Sequence, residues 1–302
     1  MNTLLSSELT LWKKLKCQIG SDFHFSLDQG IDSIIQQLKK EKKSEVLFFL
    51  WDVFETRNGE DSSSEINNLI SEISEMFQHI IFTPGNHDLR WRVDPWESFS
   101  LPKNVYYPES TFDTKVCQIE WNKILVANLF YDMEFINSDL IGGNQDEIRE
   151  FYKKTNDGKH FLYGDISLFK SMTEVCKKAL DSQIDIVATH SLPHPSLTIF
   201  RARPNDWSID SPGIMTVTDM EDHKKHVFNK DFDIDRFIKY WNLKSFFMGS
   251  NILEGKENDI KDGLVCLYGH NHRGWKSSLD IGDKKVNFVS APQPNFWGKI
   301  ME

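Results

Sequence analysis

Short apolar runs that each lead into a residue able to bind a metal ion are the feature that most constrains this chain. Val46 to Leu50 is continuously apolar, as in strands buried on both faces of a sheet, and Asp52 follows it. The run 184–189 leads directly into His190. Helix-period apolar positions separate such runs, so the alternation predicts an α/β fold. The carboxyl ends of strands in such sheets are where loops converge and where sites form.

Three more short strands are predicted at residues 15–20, 79–82 and 264–268. The metal-competent residues that follow them are Asp22, Asn86 and His270. A single Asp after a strand is most often a turn residue or a helix cap, and a single His is most often structural. The recurrence of such residues at one strand end after another is what indicates a site.

Other segments complete or interrupt the predicted sheet. Residues 275–281 and 285–290 flank Gly282-Asp283, which is a strong hairpin signal. Three stretches without clear periodicity are predicted to leave the sheet edge and to shape a substrate site. These excursions lie near residues 91–120, 131–165 and 193–230. The whole chain, residues 1–302, is expected to form a single domain.

Bulk composition restricts the class of protein. The chain has 35 basic and 45 acidic residues and a formal net charge of −10. Because affinity for duplex nucleic acid depends on Lys and Arg, this balance argues weakly against non-specific nucleic-acid binding. No segment approaches the roughly 20 apolar residues of a membrane span. The first thirty residues contain no signal-peptide pattern, so a cytoplasmic protein without membrane attachment is the expectation.

The candidate ligands are carboxylate, amide and imidazole groups. Asp22 and His24 are separated by one residue, and so are His270 and His272, so each pair shares one side of an extended chain. None of the four cysteines lies in a Cys-x-x-Cys pair, which disfavours a structural zinc site. Mixed oxygen and nitrogen ligands suit manganese, iron or zinc.

The order of these motifs resembles that of the calcineurin-like metallophosphoesterases. That family has, in order, Asp-x-His, Gly-Asp, Gly-Asn-His followed by Asp or Glu, a lone His, and Gly-His-x-His. The matching residues here are Asp22-Phe23-His24, Trp51-Asp52, Gly85-Asn86-His87-Asp88, His190 and Gly269-His270-Asn271-His272. The resemblance spans residues 22 to 272. It implies the family's four-layer fold, in which two mixed β-sheets pack face to face with helices outside.

The resemblance also implies how two metal ions would be held. The implied ligand sets are Asp22, His24 and His272 for one ion, Asn86, His190 and His270 for the other, and Asp52 for both. A hydroxide shared by the two ions would attack a phosphate ester, because such a pair lowers the pKa of bound water and clamps the phosphoryl oxygens.

His87 is the implied catalytic residue that binds neither metal. By resemblance, it would protonate the leaving oxygen or stabilise the transition state, and Asp88 would orient its ring. One residue departs from the family pattern, since Trp51 stands where the family usually has Gly before the bridging Asp52. A Trp51 side chain at this position would need room beside Asp52 or would partly cover the metal ions.

The expected activity is hydrolysis of phosphate esters, with three substrate classes left open. A phosphomonoester, a phosphodiester such as a cyclic nucleotide, or a phosphoprotein would each suit the site. A DNA exonuclease or endonuclease of the same superfamily is an alternative, which the acidic charge makes less favoured. A non-catalytic scaffold of the same fold is a further alternative, with less weight because every ligand and His87 are present. The sequence does not determine the oligomeric state.

Overall fold

We describe the protein from a computed structural model, which shows two β-sheets with helices packed on them. The described residues are 9–11, 14–23, 31–50, 52, 63–89, 100–110, 113–131, 145–154, 166–197, 249–270 and 276–291. Strands and helices alternate along much of this part of the chain, which confirms the predicted α/β class.

The first sheet has five strands in the order β1-β2-β3-β4-β5. Its strands are β1 (Leu9–Thr10), β2 (Lys16–Gly20), β3 (Val46–Leu50), β4 (His79–Thr83) and β5 (Val105–Tyr106). β1 is antiparallel to β2, and the other neighbouring strands are parallel. Because β2, β3 and β4 run in the same direction, their carboxyl ends meet at one edge of the sheet.

The second sheet has six strands in the order β10-β11-β9-β8-β7-β6. Its strands are β6 (Thr114–Ile119), β7 (Asn122–Ala127), β8 (Ile186–Ala188), β9 (Val265–Tyr268), β10 (Lys276–Ile281) and β11 (Lys284–Ser290). The four central strands are parallel, and the strand at each edge is antiparallel to its neighbour. The predicted C-terminal hairpin is therefore confirmed as β10 and β11.

Five α-helices and one short 3₁₀ turn connect the described strands. They are α1 (Ile31–Glu41), α2 (Ser63–Ser74), α3 (Asn86–Leu89), α4 (Gln145–Tyr152), α5 (Ile166–Ala179) and the turn Pro195–Leu197. In α1 an acidic residue lies in the first turn and two lysines lie in the last, which suits the helix macrodipole. Among the described helices, none is long and apolar enough to cross a bilayer.

The strands of the first sheet bury both of their faces. Leu47 and Phe49 of β3 pack with apolar side chains of α1 and α2. The opposite face of the same strand carries Leu50, which belongs to a cluster that includes Val126 and Leu267 of the second sheet. A third cluster packs α5 on the other face of the second sheet. The two mixed sheets therefore pack face to face, as in an α/β sandwich.

Part of the predicted excursion 91–120 is sheet instead. β5 and β6 are edge strands that lie within it, and β6 pairs with β7. Cys117 and Ile119 of β6 are buried while Val116 is exposed, so the strand lacks the continuous apolar run that marks a central strand. Within the excursion 131–165, α4 is the described structure. The excursion 193–230 lies outside the described residues beyond position 197.

Candidate metal centre

Four predicted ligands each lie two positions past the end of a parallel strand. Asp22 follows β2, Asp52 follows β3, His190 follows β8 and His270 follows β9. Because the sheets pack face to face, side chains from the strand ends of both sheets meet. The ligand atoms of Asp52, His190 and His270 all lie within 4.8 Å of one another. These three residues are among the strand-end residues that the sequence grouped as a candidate site.

The backbone at three of these positions is left-handed. The φ angle is 55° at Asp22, 75° at Asp52 and 63° at His270. Among the described residues, the other non-glycine residues with positive φ are Lys14 and Glu120, which lie in the turns between paired antiparallel strands. Positive φ is uncommon outside glycine, and such residues tend to cluster at functional sites. Here they coincide with the predicted ligands.

The two oxygens of the buried Asp52 carboxylate have different surroundings. Oδ1 accepts a hydrogen bond of 2.9 Å from the backbone N–H of His87, at the start of α3. Oδ2 lies 3.3 Å from His190 Nε2 and 4.0 Å from His87 Nε2. One oxygen is thus held by the backbone, and the other faces the imidazoles.

The His190 ring is buried, at 1% exposure, and is oriented by groups on both sides. Nδ1 lies 3.2 Å from the carbonyl oxygen of Leu50, in the first sheet. Nε2 lies 3.2 Å from His270 Nδ1. A ring that donates Nδ1–H to a carbonyl presents Nε2 as its metal-binding atom. The Leu50 carbonyl in the first sheet therefore leaves Nε2 as the nitrogen through which His190, in the second sheet, could bind a metal ion.

The site favours positive charge at His190. Burial by itself lowers the pKa of this imidazole, but the charge and hydrogen bond of Asp52, the charge of Asp22 and the Leu50 carbonyl together raise it to about 9. Near neutral pH the imidazole therefore holds a proton. A metal ion that binds there would take the place of that proton.

Asp22 links the first sheet to the turn that carries His270. The backbone N–H of His270 lies 3.1 Å from Asp22 Oδ1 and 3.0 Å from Asp22 Oδ2. The His270 ring lies 5.1 Å from the His190 ring at 70°, and 6.4 Å from the Tyr131 ring. Asp22 is fully buried. Its carboxylate is thus fixed next to the cluster of Asp52, His190 and His270.

Two motif glycines make room for the acidic ligands. A Cβ atom at Gly85 would overlap Oδ1 of Asp52 and would lie 2.6 Å from its Cγ. A Cβ atom at Gly269 would overlap the Oγ of Ser21 and would lie 2.9 Å from Oδ2 of Asp22. Any side chain at either glycine would therefore displace a carboxylate of the site.

Asn86 and His87 begin α3, directly beside Asp52. Asn86 is buried, at 3% exposure, whereas the His87 side chain is 16% exposed. The partial exposure of His87 suits a residue that reaches a substrate. Asp88 belongs to the same short helix, but its side chain lies outside the described residues. Its predicted orienting role stays a prediction.

The remaining predicted residues cannot be placed. His24, His272 and Trp51 lie outside the described residues. The ligand roles of His24 and His272 stay predictions, and so does the effect of Trp51 on Asp52. The donors that the described residues bring together are the carboxylate of Asp52 and the imidazoles of His190 and His270. That donor chemistry fits manganese, iron or zinc.

Three groups that position the site escaped sequence reasoning. They are the hydroxyl of Ser21, the carbonyl of Leu50 and the ring of Tyr131. A backbone carbonyl has no sequence signal, and Tyr131 lies four positions past β7 with nothing nearby to mark it. Ser21 directly precedes a ligand, which was the available signal. His194, which the sequence left without a site role, packs its ring 6.2 Å from Phe288.

Comparison with known proteins supports the fold. No family model matches the chain, and no curated protein matches it at the level of sequence. One of the solved structures that match is the crystal structure of a phosphopantetheinyl hydrolase from Mycobacterium tuberculosis. The match has a TM-score of 0.54 and 17% identity, and it covers 97% of this chain and 93% of that chain. At this identity the likeness shows a shared fold, one that a hydrolase uses.

Proposed function

We propose that this protein is a metal-dependent hydrolase of phosphate esters, of the calcineurin-like metallophosphoesterase class. The observation that carries the proposal is the convergence of Asp52, His190 and His270 within 4.8 Å at the edge where both sheets end. The phosphopantetheinyl hydrolase supports the same reaction type, since its fold is similar over 97% of this chain. The four-layer arrangement of the class and a cytoplasmic location are parts of this proposal.

The proposed cofactor is a pair of manganese, iron or zinc ions. The proposed ligand sets are Asp22, His24 and His272 for one ion, Asn86, His190 and His270 for the other, and Asp52 for both. When bound, such a pair supplies a water nucleophile that is reactive near neutral pH and positive charge that offsets the charge of the phosphoryl group. No thiolate is needed, in keeping with the oxygen and nitrogen donors of the site.

The described contacts support pre-organised ligands. The His87 backbone N–H fixes one oxygen of Asp52, which leaves the other directed at the imidazoles. The Leu50 carbonyl orients His190, and the His270 backbone N–H orients Asp22. Contacts of this kind, outside the ligand shell, commonly change metal affinity about 10–100-fold when they are removed.

His87 is the proposed general acid. Its Nε2 lies 4.0 Å from Oδ2 of Asp52, and its ring is partly exposed, so a substrate beside Asp52 would be within reach. A proton from His87 to the leaving oxygen would avoid the release of an alkoxide. Asp88 would keep the ring in the orientation that this transfer requires.

The substrate is proposed as a phosphomonoester or a phosphodiester such as a cyclic nucleotide. The name of the phosphopantetheinyl hydrolase adds a phosphopantetheinyl conjugate to the compounds that should be tried. A nuclease is the alternative, and the net charge of −10 disfavours it. No membrane partner is proposed. A non-catalytic scaffold of the same fold is a second alternative, and the bulk of Trp51 beside Asp52 is the feature in its favour.

The test is a metal-reconstituted substrate panel. Metal-free protein would be loaded separately with Mn²⁺, Fe²⁺ or Zn²⁺ and assayed on a chromogenic monoester, a chromogenic diester, cyclic nucleotides, a phosphopantetheinyl conjugate, a phosphoprotein and single-stranded DNA. Elemental analysis of the same samples would count the ions. We expect about two ions per chain and turnover of at least one small ester.

The control separates the site from general damage to the protein. His194→Ala alters a histidine whose ring packs against Phe288, and it should leave metal content and turnover unchanged. Wild-type protein that binds no transition metal after reconstitution would reject the proposal. Metal binding without turnover of any ester would favour the scaffold, and turnover of DNA alone would favour the nuclease.

A further inference from the structure

A buried serine touches groups that position both proposed ligand sets. Ser21 is fully buried, and its Oγ lies 2.6 Å from Oδ2 of Asp22 and in contact with the carbonyl oxygen of Leu50. That same carbonyl oxygen lies 3.2 Å from Nδ1 of His190. Asp22 belongs to the proposed set of one ion, and His190 belongs to that of the other. A single hydroxyl therefore lies between the two half-sites.

The hydroxyl of Ser21 has one proton and two neighbouring acceptors. A hydrogen bond to an ionised carboxylate is about twice as strong as one to a neutral acceptor. Ser21 Oγ lies within hydrogen-bonding distance of both acceptors, so its proton can be given to the Asp22 carboxylate or to the Leu50 oxygen. The Leu50 oxygen has two lone pairs and can accept from Ser21 and from His190 Nδ1–H at the same time. Ser21 therefore helps to fix the oxygen that keeps His190 Nε2 directed at Asp52.

The surroundings leave little freedom for any other arrangement. A Cβ atom at Gly269 would overlap Ser21 Oγ and would lie 2.9 Å from both Asp22 Oδ2 and the Leu50 oxygen. The backbone N–H of His270 lies 3.0 Å from the same Asp22 oxygen. The turns after strands of both sheets thus meet around Ser21. A change at the Ser21 hydroxyl therefore alters the contacts of both Asp22 and the Leu50 carbonyl.

We propose that Ser21 is a positioning residue that couples the two metal half-sites, so that its loss weakens the binding of both ions. This inference rests on the proposed dinuclear function. Ser21 acts through Asp22 on one ion and through the Leu50 carbonyl and His190 on the other. A serine that merely filled space, or that supported Asp22 alone, would not influence the second ion.

The test is the Mn²⁺ affinity of each half-site in Ser21→Ala. Titration calorimetry on the full metal-free chain would give the two binding constants, and electron paramagnetic resonance would report the spin-coupled manganese pair. We expect both affinities to fall about 10–100-fold, the usual effect of removing a partner of a metal ligand. The spin-coupled signal should appear only at correspondingly higher Mn²⁺.

Two further variants make the result specific. Ser191→Ala removes another buried hydroxyl, at the position after His190. The Ser191 hydroxyl has no hydrogen-bond partner among the described residues. It should leave both affinities within about twofold, below the roughly tenfold lower limit for removing a partner of a ligand. Ser21→Thr keeps the hydroxyl and should restore most of the affinity. If Ser21→Ala does not unfold cooperatively on heating, Ser21→Cys, a weaker donor of similar size, takes its place.

The possible outcomes separate this inference from the function on which it rests. Two ions in wild-type protein and unchanged affinities in Ser21→Ala would overturn the coupling and leave the function standing. A loss confined to one ion would also overturn the coupling. Wild-type protein that binds no Mn²⁺ at all would overturn the function and the coupling together.

Discussion

Two buried carboxylates at opposite ends of the central strands have contrasting partners. Asp52 and Asp185 are each 1% exposed. Asp185 precedes β8, and its Oδ1 lies 2.5 Å from Lys261 Nζ, while its Oδ2 accepts a hydrogen bond from the backbone N–H of Lys123. Asp52 follows β3 and faces the imidazole of His190.

The difference lies in whether the countercharge is permanent. The Lys261 ammonium lies directly against Asp185, so the protein itself supplies the countercharge of that carboxylate. An imidazole can give up its proton, so the charge that balances Asp52 is exchangeable. The first arrangement stabilises the fold, and the second can accept a cation. The comparison leads to four predictions, from the largest expected effect to the smallest.

Asp52→Asn should abolish turnover and weaken both metal ions. Because removal of an outer partner already costs about 10–100-fold in affinity, loss of a bridging carboxylate should exceed that range for each ion. Elemental analysis and calorimetry would measure the loss. Asp185→Asn is the matched control and should keep both ions. If Asp52→Asn lost only one ion, the carboxylate would not bridge.

His87→Gln should lower turnover about 10²–10⁴-fold, as expected for loss of a general acid. The metal ions should stay bound, since His87 is not a proposed ligand. Steady-state kinetics and elemental analysis on the same sample would separate the two effects. His79→Gln alters a histidine at the other end of β4, where it meets the Tyr106 hydroxyl, and it should leave turnover unchanged. Full activity in His87→Gln would remove His87 from the mechanism.

Metal affinity should rise with pH up to about pH 9. The surroundings raise the pKa of His190 from 6.5 to about 9, so below that value a binding ion must displace a proton. Each unit of pH below it should lower the affinity by up to about tenfold. The stability of the metal-free protein should change with pH in the opposite direction. The charged His190 stabilises the fold below its unfolded pKa, and that contribution is lost as the pH rises through about 9.

Calorimetry in buffers of different ionisation enthalpy would count the protons released on binding. We expect about one proton at neutral pH from His190. Binding with no proton release, and with affinity independent of pH, would contradict this account of the site.

Asp185→Asn should destabilise the protein and leave the metals in place. Removing one partner of a buried hydrogen bond costs about 1–3 kcal/mol, and more when the group left behind is a buried charge. The Lys261 side chain is 28% exposed, so water can reach its ammonium and the lower part of that range is expected. Urea unfolding of metal-free protein would measure the change. Lys261→Met should cost more than Asp185→Asn, because it leaves a fully buried carboxylate without its cation.

Sequence reasoning succeeded where the information is local. Val46–Leu50 is the strand that its apolar run predicted, and Asp52 lies just past its end. Residues such as His190 and His270 could be grouped because parallel strands bring their carboxyl ends to one edge. This grouping needs only the periodicity of each segment and the direction of each strand.

Sequence reasoning failed where one segment depends on another. The contact of the Leu50 carbonyl with His190 joins residues that are 140 positions apart, and it exists only because one sheet packs on the other. Ser21 has a role for the same reason, since its neighbour Gly269 comes from the second sheet. The sequence did not predict β6, because an edge strand with one solvent-exposed face has no continuous apolar run.

The left-handed backbone at Asp22, Asp52 and His270 costs the protein stability at three residues of the candidate site. Glycine would adopt these angles with no steric penalty, whereas other residues lose about 1–2 kcal/mol each. Glycine at Asp22 or Asp52 would relieve this strain but would also remove the carboxylates that accept the backbone N–H groups of His270 and His87. Two aspartates and a histidine occupy these left-handed positions, where the side chain needed at the site, and not the backbone preference, determines the residue.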